Sequence, residues 1–203
     1  MPHQTILVLD FGSQYTQLIA RRLRELSVYS EVLPFNTSIE KLRAKEAAGI
    51  VLSGGPMSVS EAGAPKCTPQ VFELGIPVLG ICYGMQLMTE ALGGEVRRSG
   101  HREFGHAFVR VSRNGGPGPR LFSQIPGELR VWASHGDDVA AVPPGFTVTG
   151  VSTTAPIVAM EAPDRALYGL LFHPEVVHTD HGAEILRNFA YGVCGCRGDW
   201  TIA

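Results

Sequence analysis

The sequence has no excess of positive charge and no long apolar run. Its 203 residues carry a formal net charge of −2, so no basic field is available to hold the phosphates of a nucleic acid. The longest apolar stretches, such as Ile76–Cys82, fall short of the roughly 18 residues that span a bilayer. Met1–Gln4 contains no basic, signal-like segment, so no signal peptide is expected. We expect neither a nucleic acid nor a membrane as a partner.

Cysteines are too few for a disulfide framework, and they lack the paired spacing of a zinc site. There are four in the chain, and they stand at Cys67, Cys82, Cys194 and Cys196. The sequence therefore predicts no bound metal. Three of the four are interpreted as ordinary small residues. Cys82 is the exception, and a reducing cytoplasm is the compartment in which a reactive thiol survives.

In the first half of the chain, short apolar runs alternate with helical periodicities. Runs typical of strands buried on both faces occur at 5–9, 30–33, 49–52 and 77–81. Helical patterns are found at 18–26, 39–48, 70–74 and 85–92. This strand–helix order predicts a parallel sheet with helices on both faces.

The second half is rich in β patterns separated by turns. Strands are predicted at 107–111, 129–133, 146–151, 157–161 and 167–172, and a helix follows at 182–191. The expected fold is therefore α/β: a flavodoxin-like, doubly wound, mostly parallel sheet with an antiparallel extension in the C-terminal half. With no internal repeat and no linker, residues 1–203 are predicted to form one domain.

The sharpest local feature is Gly80-Ile81-Cys82-Tyr83-Gly84, which lies between a predicted strand and a predicted helix. In that context, glycine–x–nucleophile–x–glycine forms a tight, strained turn. The turn places the Cys82 sulfur at a helix N-terminus, where the helix dipole favours the thiolate. The backbone N–H of Tyr83 then points toward an oxyanion formed on attack. The pattern predicts a nucleophile, although a buried cysteine in a glycine-rich turn would give the same sequence.

His173 is the best candidate for a general base. It follows an apolar strand in Gly169-Leu-Leu-Phe-His-Pro-Glu175, and the sites of open α/β sheets gather at strand carboxyl ends. In extended backbone, Glu175 faces the same way and can accept the imidazole Nδ1–H, which leaves Nε2 free for a thiol. The pair could instead be a surface ion pair or two metal ligands, but no third ligand is evident. Together with Cys82, it predicts a Cys–His–Glu triad.

Two further segments fit an acyl-transfer site. Ser53-Gly54-Gly55-Pro56 closes a buried strand on the same side of the sheet as Cys82, and its glycines let backbone N–H groups approach an oxyanion. The same turn occurs in phosphate loops, but here it runs into Pro56 and lacks the Lys or Asp-Ser of phosphate chemistry. Gln86 lies one helical turn after Cys82, and its amide suits an amino-acid ligand. A solvated helix residue is the plainer interpretation of Gln86.

These motifs resemble the class I (triad) glutamine amidotransferases, and among them the glutaminase domains of GMP synthetases. Gly80–Gln86 and Phe172–Glu175 carry the resemblance to the class. The subfamily pattern is matched by 10–22, 52–56, 102–105, 132–137 and 173–179. The resemblance covers the chain from Ile6 to about Trp200.

The resemblance implies that glutamine is hydrolysed to glutamate and ammonia. By position, Cys82 is the nucleophile, His173 the base and Glu175 its orienter. Gly55 and Tyr83 would supply the oxyanion N–H groups. The substrate's amino-acid end would be bound by Gln86 and by a loop made of Ser134, His135, Gly136 and Asp137.

The resemblance also implies a partner. The ammonia would pass to an ATP-pyrophosphatase domain that converts XMP to GMP, in the same chain or in a separate subunit. That domain is absent from this sequence, so ATP and Mg²⁺ are expected there and no cofactor is expected here. We expect an excised, cytoplasmic domain.

One residue departs from the family pattern. Leu171 replaces the glutamine that usually lies two residues before the catalytic histidine. The family's activity is therefore not assumed to be unchanged in this chain. The rival functions are another cysteine hydrolase on the same scaffold, such as a γ-glutamyl hydrolase or a peptidase, and a non-catalytic glutamine-binding module.

Overall fold

The computed structural model describes residues 3–113 and 118–201, with residues 101 and 102 described by their backbone alone. The strands are β1 (Thr5–Asp10), β2 (Tyr29–Pro34), β3 (Gly49–Leu52), β4 (Val78–Ile81), β5 (Glu95–Val111), β6 (Glu128–Ala141), β7 (Thr147–Ser152), β8 (Ala159–Ala162) and β9 (Leu167–Leu170). In this part of the chain they form a single nine-stranded sheet in the order β2-β1-β3-β4-β9-β8-β7-β5-β6.

The α-helices are α1 (Thr16–Glu25), α2 (Ile39–Ala44), α3 (Tyr83–Ala91) and α4 (Gly182–Arg187), and α4 continues as a π-helix over Asn188–Val193. Short 3₁₀ turns occupy Pro69–Glu73, Arg120–Phe122 and Pro163–Arg165. Within the described residues, no helix has both the length and the apolar character needed to cross a bilayer.

The sheet has two parts, as the sequence predicts. From β2 through β1, β3 and β4 to β9, neighbouring strands run parallel. From β9 through β8, β7 and β5 to β6, they run antiparallel. The α/β expectation with an antiparallel C-terminal extension is confirmed. Because β1, β3, β4 and β9 are parallel neighbours, the segments that follow them meet at one edge of the sheet, which we call the carboxyl edge.

The parallel half is held by strands buried on both faces. Ile6–Leu9 of β1 and Ile50–Leu52 of β3 are fully buried. Ile19 and Leu23 lie on one stripe of α1 and are also fully buried. Each such side chain contributes about 1.5–3 kcal/mol relative to an exposed one. This buried layer fixes the strands whose ends carry the candidate site.

Three predicted helices differ in extent or type. The helix expected at 39–48 ends at Ala44, because Glu46 turns to a left-handed conformation (φ 49°) and Ala48 bonds to Thr5 at the start of β1. The segment at 70–74 forms a 3₁₀ turn over Pro69–Glu73. The last helix changes to π geometry at Asn188, which periodicity does not reveal.

The largest correction concerns β5 and β6. The sequence predicts two short strands at 107–111 and 129–133, but the structure has a long hairpin of 17 and 14 residues. Ser134–Asp137, predicted as a loop, lies inside β6. Polar residues such as Arg98, which is 78% exposed in its side chain, hide the strand pattern. The two strands extend beyond the core because their backbones pair with each other, and such pairing does not require apolar side chains.

Gly80 and Gly84 make the turn after β4 possible, because a Cβ on either would meet backbone atoms. Replacing Gly84 tests this requirement. A Cβ on Gly84 would lie 2.4 Å from the Leu52 carbonyl oxygen. We therefore expect Gly84→Ala to lower the free energy of unfolding by about 1–3 kcal/mol, the usual cost of overpacking. Urea unfolding measures this change. Gly127→Ala is the control, because nothing lies within 4 Å of its Cβ position, and equal stability losses in both variants would contradict the prediction.

Candidate active site

Cys82 occupies a strained turn between β4 and α3. Its backbone adopts φ 48° and ψ −108°, a conformation that non-glycine residues rarely take. Two hydrogen bonds hold the turn: Cys82 N–H donates to Leu170 O at 2.7 Å, and Gly84 N–H donates to Ser53 O at 3.1 Å. The predicted turn is therefore present, and neighbouring strands on both sides of β4 fix it.

The structure brings the three predicted catalytic side chains together. The Cys82 sulfur lies 3.3 Å from His173 Nε2 across 91 residues of sequence. His173 Nδ1 lies 2.7 Å from Glu175 Oε1. With the carboxylate accepting the Nδ1 proton, Nε2 faces the sulfur. The histidine and glutamate side chains are only 5% and 0% exposed, so a surface ion pair is excluded.

Nothing in the described residues makes a third metal ligand for this pair. Among residues 3–113 and 118–201, no group of three or more histidine, cysteine, aspartate or glutamate side chains is arranged to hold a metal ion. The arrangement around His173 is that of a nucleophile, a base and an orienting carboxylate.

The two neighbours of His173 control its protonation. Burial by itself would lower the pKa of His173, but Cys82 and Glu175 outweigh burial and hold the pKa well above its ordinary value of 6.5. An imidazolium is therefore favoured beside the sulfur, and it stabilises a thiolate there by charge attraction.

Contacts that sequence patterns do not reveal surround the histidine. The Tyr15 ring packs edge-on against the His173 ring, with 5.0 Å between centroids. Arg22 Nε donates to Glu175 O at 2.9 Å across 153 residues. Thr179 donates its hydroxyl to His173 O at 2.6 Å. Such long-range or loop-borne contacts leave no periodicity to detect.

The two residues expected to supply oxyanion donors, Gly55 and Tyr83, line the same cleft as Cys82. A Cβ on Gly55 would lie 2.8 Å from Phe11 O, so this loop passes too close to the segment after β1 for a larger residue. Tyr83 is the first residue of α3, where backbone N–H groups lack a partner within the helix. The Tyr83 N–H at the start of α3 is therefore suited to donate to an oxyanion.

A cleft of about 420 Å³ opens over Cys82. All five residues expected to bind substrate line it: Gln86, Ser134, His135, Gly136 and Asp137. The Gln86 side chain is buried, and its Nε2 donates to Asp137 O at 2.9 Å. Gln86 is thus not a solvated helix residue, and part of its amide ties α3 to β6.

Other side chains of the protein contact the polar and charged side chains of β6 that lie near the cleft. Asp137 Oδ2 accepts a hydrogen bond from Ser58 on the opposite wall of the cleft. His135 is buried between two carboxylates, with Nε2 3.2 Å from Glu103 and Nδ1 3.6 Å from Asp138. Burial lowers the pKa of His135 against the pull of both carboxylates. His135 thus lies between a carboxylate of β5 and a carboxylate of β6.

Ser134 joins this cleft to a second cavity of about 370 Å³, which reaches His173 and Tyr15. Cys82 and Gly55 also line both spaces. Leu171 lines neither and is fully buried in the core. The departure at position 171 therefore lies in the packing beneath the site.

The chain is similar to proteins of known class. The model of the family "Glutamine amidotransferase class-I" matches residues 7–193. A GMP synthase [glutamine-hydrolyzing] from Syntrophomonas wolfei is 51% identical over 203 residues, which are 100% of this chain and 39% of that protein. The GMP synthase from Thermobifida fusca is 52% identical over 98% of this chain and 37% of its own length. The chain thus spans about two fifths of the length of these relatives.

Solved structures give the same fold. A GMP synthase subunit from Thermoplasma acidophilum superposes with a TM-score of 0.84 and 32% identity, covering 96% of both chains. A glutamine amidotransferase from Thermotoga maritima superposes with a TM-score of 0.69 and 24% identity, covering 95% of this chain and 84% of its own. The Thermoplasma protein therefore matches this chain over nearly its whole length, unlike the longer GMP synthases.

The pairing of Glu175 with His173 predicts a shift in titration. We expect Glu175→Gln to lower the pKa of His173, because the carboxylate is one of the two groups that raise it. NMR titration of the His173 ring measures this shift. Glu184→Gln is the matched control, since its carboxylate lies 3.3 Å from the exposed His181. A His173 midpoint that is unchanged or higher in Glu175→Gln would contradict the assignment.

Proposed function

Because this chain belongs to the class-I glutamine amidotransferase family, we propose that it hydrolyses the side-chain amide of glutamine to glutamate and ammonia. The observation that carries the proposal is the contact of Cys82 with His173 and of His173 with Glu175, beside a cleft that Cys82 lines. A nucleophile and a base within hydrogen-bond reach, with the base oriented by a third group, form a site suited to acyl transfer.

In the proposed cycle, His173 takes the Cys82 proton and the thiolate attacks the amide carbon of glutamine. The oxyanion is stabilised by the N–H groups of Gly55 and Tyr83. His173 then protonates the departing ammonia, and a γ-glutamyl thioester remains on Cys82. Water activated by His173 cleaves the thioester and restores the thiol.

Substrate recognition falls to the walls of the cleft. Asp137 and the backbone of Ser134–Gly136 face the space beside the sulfur, and Gln86 holds Asp137 in place. A free amino acid offers an α-ammonium and an α-carboxylate, which a carboxylate and backbone N–H groups can bind respectively. Glutamine bound this way presents its amide to Cys82.

We further propose that the ammonia passes to an ATP-pyrophosphatase domain that aminates XMP to GMP. This proposal is supported by the name of the relatives, GMP synthase [glutamine-hydrolyzing], and by the three fifths of their length that this chain does not span. ATP and Mg²⁺ would bind to that other domain, and the cycle proposed for Cys82 needs no cofactor.

Removing the nucleophile or the base tests the chemistry. Cys82→Ala and His173→Ala are each expected to lower the rate of ammonia release from glutamine by about 10³-fold or more, because the two groups act as a unit. Glu175→Gln should cost less. Cys196→Ala, which removes another buried thiol, is the control. Full activity in Cys82→Ala would refute the mechanism.

Labelling separates a glutaminase from a peptidase. The glutamine analogue 6-diazo-5-oxo-norleucine should add mass to the peptide that contains Cys82, since the cleft would recognise a free amino acid. Burial raises the pKa of Cys67 and of Cys196 to about 11, so these thiols should stay unlabelled. Equal labelling of all cysteines would count against glutamine as the substrate, and so would the absence of any label on Cys82.

The proposed partner predicts a difference in activity. We expect weak glutaminase activity for the 203-residue chain alone, because its cleft opens at the carboxyl edge, where a second domain would complete it. Ammonia release is measured with and without the part of the Syntrophomonas relative that this chain does not match. An equal, high rate in both mixtures would contradict this expectation.

A further inference from the structure

His173 is held by β6 and not by the strand that precedes it. The strand β9 ends at Leu170, three residues before the histidine. Beyond that end, the His173 N–H donates to Trp132 O of β6 at 3.0 Å. The backbone of the base is therefore fixed by a lateral contact with another strand.

Thr179 supplies the second half of this contact. Its hydroxyl donates to His173 O at 2.6 Å and accepts from Trp132 N–H at 3.0 Å. The residue is only 7% exposed. A hydroxyl can donate and accept at once, so this single group satisfies both the carbonyl of His173 and the amide of Trp132.

Backbone hydrogen bonds also fix the segment between His173 and Thr179. Thr179 N–H donates to Val176 O at 3.2 Å, and the next residue, Asp180, donates its N–H to Arg130 O at 2.8 Å. The segment 173–180 thus lies along β6 with bonds at both ends. If the Thr179 hydroxyl is removed, the buried carbonyl of His173 and the partly buried amide of Trp132 lose their partner, which favours a shift of the segment.

We propose that Thr179 is a positioning residue for the reaction: its hydroxyl clamps the His173 backbone to Trp132 and thereby holds Nε2 in reach of the Cys82 sulfur. The clamp complements Glu175, which orients the ring, whereas Thr179 fixes the backbone that carries the ring. The inference rests on the proposed function for its kinetic consequence, but the geometric consequence at Cys82 is independent of substrate.

Thr179→Val keeps the shape of the side chain and removes the hydroxyl, whereas Thr179→Ser keeps the hydroxyl. We expect the valine variant to lower kcat for glutamine hydrolysis by about 10- to 100-fold, the scale of a small misplacement of a catalytic group. KM should change less than about twofold, because the clamp does not touch the cleft. The serine variant should recover kcat to within about threefold of wild type.

Thr89→Val is the matched control. Thr89 is fully buried and donates its hydroxyl to Met85 O at 2.8 Å, but it lies inside α3 and does not contact His173. Its kcat should stay near that of wild type, although a buried hydroxyl bond is lost. Thermal unfolding of all variants shows whether each is folded at the assay temperature.

A second readout needs no glutamine. The rate of Cys82 alkylation by iodoacetamide is measured against pH, because it reports the thiolate that the imidazolium supports. Thr179→Val should shift the profile toward higher pH, and Thr179→Ser should follow wild type. Thr179→Ala takes the place of the valine variant if the latter does not fold, with the same expected results.

Three results would overturn the inference: a kcat and an alkylation profile in Thr179→Val that match wild type, equal losses in the serine and valine variants, or an equal loss in Thr89→Val. Failure of the proposed function looks different. In that case wild type would release no ammonia from glutamine, yet the alkylation of Cys82 would still depend on the Thr179 hydroxyl.

Discussion

The contact between the Cys82 sulfur and the His173 imidazole is the interaction on which the rest of the site depends. It joins residues 91 positions apart at a distance of 3.3 Å. The two side chains follow β4 and β9, which are parallel neighbours in the centre of the sheet. The fully buried strands of the parallel half therefore bring Cys82 and His173 to the same edge of the sheet. A hydrogen bond to β6 then fixes the backbone of His173 at that edge.

The strained backbone at Cys82 shows how that support works. A φ of 48° at a non-glycine residue carries a cost of about 1–3 kcal/mol. Bonds from both sides of β4 offset this cost, since Cys82 N–H reaches Leu170 and Gly84 N–H reaches Ser53. Gly80 and Gly84 are required for the same reason, because a Cβ on either would lie within 2.6 Å of backbone atoms.

The wall of the cleft depends on the antiparallel half of the sheet. β6 presents Ser134–Asp137 to the cleft, and through Trp132 it also holds the backbone of His173. One wall of the cleft and the backbone hydrogen bond to His173 thus belong to the same strand. Phe104 of β5, which pairs with Ser134, is 66% exposed beside both cavities.

The sequence by itself determined the strand–helix order of the first half, the turn at Cys82 and the pairing of His173 with Glu175. These features rest on local rules: apolar runs, glycine flanks and the two-residue repeat of extended backbone. Only the tertiary structure decided the length of the β5–β6 hairpin, the place of Ser134–Asp137 inside a strand and the contacts of Thr179 and Arg22 with the segment that carries the base. The reason is physical, because those features arise from hydrogen bonds between residues far apart in sequence, which leave no periodic trace in the chain.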